Sequence, residues 1–129
     1  MPLLQFDTTV ELTGQTKREF AEAVRERYGE IMQTGTGHVA ITVRPREPSE
    51  LSLGREVDDD RLLFLDADIR EGRPFEVKRE FVLAVMDLAA DEFGVPKPNM
   101  KAVVTEHRGA QMMGYDRVGS EWRPEDGES

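Results

Sequence analysis

Apolar positions along this chain change their spacing in an order that repeats. Leu3–Thr9 reads as a strand. Thr13 or Thr16 can cap a helix whose stripe, Phe20, Val24, Tyr28 and Ile31, follows helical spacing. QTGTG at 33–37 ends that helix, and HVAITV forms a second strand. Further along, LLFLDADI is a strand, Pro74 suits the first turn of a helix, and Phe81, Val85, Leu88 and Ala89 form its buried stripe. Gly94 and Pro96 stop it before a last strand, KAVVTE.

The two series are one pattern used twice. KREFAEAV at 17–24 and KREFVLAV at 78–85 agree at six of eight positions, 61 residues apart, and the same offset pairs Leu3-Leu4 with Phe64-Leu65 and Val39–Val43 with Met100–Val104. Strand, helix and strand in register at one offset indicate a duplicated unit. The expected fold class is α+β: tandem βαβ units, residues about 2–45 and 63–106, related by a pseudo-twofold axis. Each unit needs a right-handed crossover between parallel strands, which gives a four-stranded mixed sheet with two helices on one face. One domain spans 1–122, with 123–129 a frayed tail and PREPSELSLGREVDDD (45–60) a polar connection with room for a short strand. Strands as apolar as LLFL and HVAITV call for burial on both sides, so another subunit is expected to cover the free face.

Composition narrows the function. The 129 residues carry a net charge of −9, with 26 acidic residues against 17 basic ones. That balance argues against nucleic acid, whose phosphates need clustered Lys and Arg. No apolar run approaches the roughly 18 residues of a membrane span, and no secretory leader is visible. With no cysteine and only His38 and His107, thiolate and histidine metal sites are not expected, and the chain fits the cytoplasm. Asp58, Asp59 and Asp60 read as a solvated loop, and Met112 and Met113 as adaptable packing. Trp122 is expected to anchor an interface.

The candidate chemistry lies at the start of the chain. Removal of Met1 would leave Pro2 with a free secondary amine at the end of a strand. In the pseudo-twofold arrangement that end meets the REGR turn, so Pro2 falls near Arg70 and Arg73. A terminal amine beside cations, with a reference pKa of about 7.7–8.0, is pushed towards its neutral form and can then take a proton. Two guanidiniums can hold a carboxylate and stabilise an enolate. The implied reaction is proton transfer next to the carbonyl of a small 2-oxo acid; attack of the amine on a carbonyl is the alternative.

Pro2, the duplicated βαβ units and REGR resemble the tautomerase superfamily. PLLQF, TGTGHVAITV, DIREGRPFEVK and AQMMGYDR extend the likeness to the subgroup of cis-3-chloroacrylic acid dehalogenase. The resemblance implies a homotrimer without metal or organic cofactor, with Pro2, Arg70 and Arg73 catalytic. Self-association is thus expected, with a small carboxylate as substrate from the arginine pair and no membrane or nucleic-acid partner from the composition. Tyr28, Val103 and Gly114 stand where that dehalogenase uses a histidine, a tyrosine and a water-activating glutamate. Tyr28 and His38 are further candidates for substrate binding, His38 lying near an aspartate position of a related decarboxylase. Glu106, His107 and Tyr115 could replace the glutamate, but the sequence does not place them. The expected activity is keto–enol tautomerisation, with hydration, dehalogenation or decarboxylation of three-carbon acids as one alternative and a catalytically silent trimer as another.

Overall fold

The computed structural model describes residues 1–55, 57 and 59–120; Trp122 and the 123–129 tail lie outside them. The chain runs β1 (Leu3–Thr8), α1 (Gly14–Met32), β2 (Ala40–Pro45), β3 (Leu63–Arg70), α2 (Phe75–Phe93) and β4 (Met100–His107). A short hairpin follows, β5 (Met113–Gly114) and β6 (Arg117–Val118). The sheet order is β2-β1-β3-β4, with β1–β2 and β3–β4 parallel and β1–β3 antiparallel. This is the expected tandem βαβ architecture.

The repeat holds at the level of helix ends. Both helices have 19 residues and begin 61 apart, at Gly14 and Phe75. Each closes on a left-handed residue, Gln33 at φ 53° and Gly94 at φ 66°, again 61 apart. Thr13 caps α1, its hydroxyl accepting from Thr16 N at 3.1 Å. Pro74 is the N-cap of α2 and lies just ahead of the first turn expected for it.

Burial corrects the stripes by one residue in places. On α1 the row runs Phe20, Val24, Tyr28 and Met32, leaving Ile31 partly buried. On α2 it runs Phe81, Val82, Val85, Ala89 and Phe93, with Leu88 at the margin. Between helices and sheet, Phe20 packs edge-on to Phe6 at 5.1 Å and against Phe93 at 4.9 Å. The second strand starts at Ala40, so His38 belongs to the turn before it, which Val39 N closes by donating to Thr36 O at 3.2 Å.

The free face of the sheet is mixed in character. Val103, 51% exposed, and Leu3 share it with Arg44, which donates through Nε and Nη2 to the two Asp7 carboxylate oxygens at 3.0 Å each. HVAITV is therefore not buried on both sides within one chain: β2 is an edge strand, exposed at Ala40 and Pro45. In the 45–60 connection the regular element is a 3₁₀ turn, Pro48–Glu50, where a short strand had been allowed for. Buried Asn99 holds the end of this connection, accepting from Val57 N and donating to Asp59 O and Arg61 O. Among the described residues no helix is long and apolar enough to cross a membrane.

Phe20 joins both repeats across the core, so Phe20→Ala should cost about 3–5 kcal/mol. Chemical denaturation reads this directly, and a loss under about 1 kcal/mol would contradict the packing described.

Candidate active site

The antiparallel pairing of β1 with β3 sets Leu3 opposite Asp68. The register ends there, and two more residues in the same sense would set Pro2 level with Ile69 and Met1 level with Arg70, where β3 ends. On its other side Pro2 is fixed by its carbonyl, which accepts from Ala40 N at 3.0 Å. Pro2 is buried and Met1 partly so. The amino terminus thus lies where two strands and the following turn converge.

REGR makes that turn. Gly72 takes φ 126°, a conformation that favours glycine, between the two arginines. Arg70 is 8% exposed and Arg73 4%, so neither is a solvated surface charge. Arg70 donates from Nη1 to Ser120 O at 2.8 Å, beneath the segment after the hairpin. Arg73 donates from Nε to Met32 O at 3.2 Å, one of the last carbonyls of α1. Its guanidinium also lies 5.7 Å from the Tyr28 ring centroid. Burial pushes the Arg73 pKa down, while Tyr28 and Glu106 act in the opposite direction.

Tyr28 is buried, edge-on to Phe81 at 5.1 Å. Burial raises its pKa, and Arg73 and then Arg70 partly offset the rise. Tyr28 therefore underlies Arg73 while also belonging to the core. His38 stands in the turn before β2, where its Nε2 accepts from Arg117 Nη1 at 2.7 Å. Because arginine can only donate, the ring proton of His38 is on Nδ1.

Burial is the main force on the amino group of Met1, lowering its pKa from 8.0 to about 6, with Arg70, Arg73 and Arg117 each adding to the fall. Pro2, Arg70, Arg73 and Tyr28 thus share one corner, and His38 joins it through Arg117. Arg117 escaped the sequence reading. Its signal was present in AQMMGYDR, where a basic residue follows a two-residue turn, but nothing periodic distinguished it.

The proposed substitutes for the glutamate separate. Glu106 is 2.9 Å from Lys78 Nζ, and Tyr115 is 97% exposed. His107 Nε2 sits 2.7 Å from Asp68 Oδ1. Both line an open depression of about 320 Å³ that also includes Met1, Leu3 and Gln111–Met113. Met112 is buried, as packing requires, whereas Met113 is 63% exposed. Of the acidic run, Asp58 lies outside the described residues and Asp59 pairs with Arg61 Nη2 at 2.7 Å.

No model of a protein family matches the sequence, and neither does any curated protein. Solved structures do match. A member of the cis-3-chloroacrylic acid dehalogenase family, N1, superposes with TM-score 0.82 at 18% identity, over 92% of this chain and 84% of its own. An FG41 malonate semialdehyde decarboxylase inhibited by 3-bromopropiolate gives 0.75 at 18% identity, over 89% and 91%. A fused 4-OT symmetric trimer gives 0.76 at 17% identity, over 92% and 97%. These likenesses show one shared architecture, the tautomerase fold.

Proposed function

We propose that this chain, after loss of Met1, is a cofactor-independent tautomerase acting on small 2-oxo acids and their enols. One observation carries the reading: the amino end of β1 is buried against the turn that holds two buried guanidiniums, Arg70 and Arg73. A carboxylate docks on these arginines, which supply paired donors and full positive charge. The Pro2 amine takes a proton from the carbon next to the carbonyl, and the electron pair moves to oxygen. Arginine charge stabilises that oxygen as an enolate, which takes a proton from water to give the enol. In reverse, the ammonium returns its proton to carbon as the enol oxygen loses its own. Tyr28, beneath Arg73, shapes the floor, and His38 borders the corner beside the hairpin.

A homotrimer fits this reading, as in the fused 4-OT relative, which is described as a symmetric trimer. Dehalogenation or hydration is disfavoured here because Gly114 and Val103 offer no carboxylate or hydroxyl to activate water.

The amine is the testable centre. With Met1 retained, its amino group should titrate near pH 6 in the folded chain and near 8 when unfolded. Between those values the unfolded chain binds more protons, so this group's contribution to stability rises with pH through the window. Arg70→Gln should move the folded titration upwards, which amine-selective labelling across pH will read; an unmoved titration contradicts the charge geometry.

For the reaction itself, intact mass of the native protein should show Met1 absent. Pro2→Ala should then lower enol–keto turnover by about 10²-fold or more, without halide or carbon dioxide release from any substrate. Retention of Met1, or full turnover in Pro2→Ala, would end the proposal.

A further inference from the structure

The hairpin carries a charge that the reaction above does not use. Arg117 stands directly across from Gly114 in the β5–β6 register, with Tyr115 and Asp116 as the turn between them. Residues so paired hold their Cβ atoms about 4.5–5.5 Å apart, the usual place for an acid to meet an arginine. Glycine leaves that place without a side chain. Among the described residues Arg117 has no carboxylate partner, not even Asp116 beside it; its hydrogen bond goes to the His38 ring. Among the described residues, no carboxylate therefore neutralises this arginine.

Its position adds meaning to that charge. A Cβ placed on Gly114 would lie 3.2 Å from Met1 Cε and 4.0 Å from Arg117 Cγ. The Met1 side chain and the stem of Arg117 therefore rest against the same small surface. The Arg117 charge also reaches the amino terminus, together with those of Arg70 and Arg73. The charges of three guanidiniums act on one amine, and two suffice for a single carboxylate.

We propose that Arg117, oriented by His38, binds a second carboxylate, so that the site selects small dicarboxylates over monocarboxylates. The inference rests on the reading of Arg70 and Arg73 as the first carboxylate site. They hold the acid group next to the oxo carbon, and Arg117 takes the far one. Loss of Met1 clears the side chain that lies against Gly114 and opens the span between the two anchors. His38 is a positioning residue: its acceptor nitrogen fixes the guanidinium without cancelling its charge.

Calorimetry with succinate and butanoate tests this on the mature protein. Both acids have four carbons, lack an oxo group and differ in the second carboxylate. Succinate should bind at least about tenfold more tightly, and Arg117→Gln should bring the two within about twofold while leaving butanoate unchanged. Gly114→Glu supplies an internal carboxylate across from Arg117 and should remove the preference in the same way. Equal binding by the unaltered protein, or a preference that survives either substitution, overturns the assignment. If neither acid binds, the first carboxylate site has failed and this inference falls with it. If butanoate binds and is lost in Arg70→Gln, the first site stands whatever Arg117 does.

Discussion

Everything at the candidate site depends on the register between β1 and β3. Leu3 opposite Asp68 is the pairing that carries the amino end of the chain to Arg70. Side chains alternate along a strand, so a slip of one residue would turn Leu4 and Phe6 out of the core and Leu3 into it. Both of the former are fully buried under the helices, and burying them stabilises the register strongly. The core therefore positions the chain end, and Tyr28 belongs both to the core and to the corner.

The second constraint is electrostatic. Burying guanidiniums is unfavourable unless their donors find acceptors. Here buried Arg70 uses a carbonyl, Ser120 O, and buried Arg73 reaches a carbonyl at the end of α1, while Arg117, which is exposed, bonds an imidazole nitrogen. Carbonyls and rings satisfy hydrogen bonds without cancelling charge. Glu106, an acid in the field of Arg73, is itself 2.9 Å from Lys78. The charges of Arg70, Arg73 and Arg117 all act on the amino terminus and favour its neutral form.

Much of this was legible in the sequence because duplication doubles every signal. Helix positions, their shared length and the left-handed residues that end them all follow the 61-residue offset. Errors arose where packing or turns override spacing. Met32 and Phe93 enter the buried rows as the next positions four residues beyond Tyr28 and Ala89, in the last turn of each helix. The second strand starts later than HVAITV suggested because Val39 is drawn back to Thr36. Arg117 was invisible for a different reason. A two-residue turn leaves no period, and its meaning comes from Gly114 opposite and His38, 79 residues away.

Duplication also raises the question of why only one corner gathers arginines around an amino terminus. Shifting by 61 residues maps Met1 and Pro2 onto Leu62 and Leu63, and Arg70 and Arg73 onto Thr9 and Leu12. At that second corner the chain is continuous, so no amine exists. Hydrogen bonds occupy the space instead: Thr8 Oγ1 donates to Leu62 O at 2.7 Å, Thr9 Oγ1 to Asp60 O at 2.6 Å, and Leu62 N to Thr9 Oγ1 at 2.9 Å. Threonines close there what arginines hold open at the other end. One scaffold therefore presents two equivalent corners, and the sequence uses one to fasten the units together and the other to gather charge around a chain end. The asymmetry resides in a few side chains, set on a fold that this chain shares with solved structures at 17–18% identity, and a fold alone does not fix the chemistry of its sites.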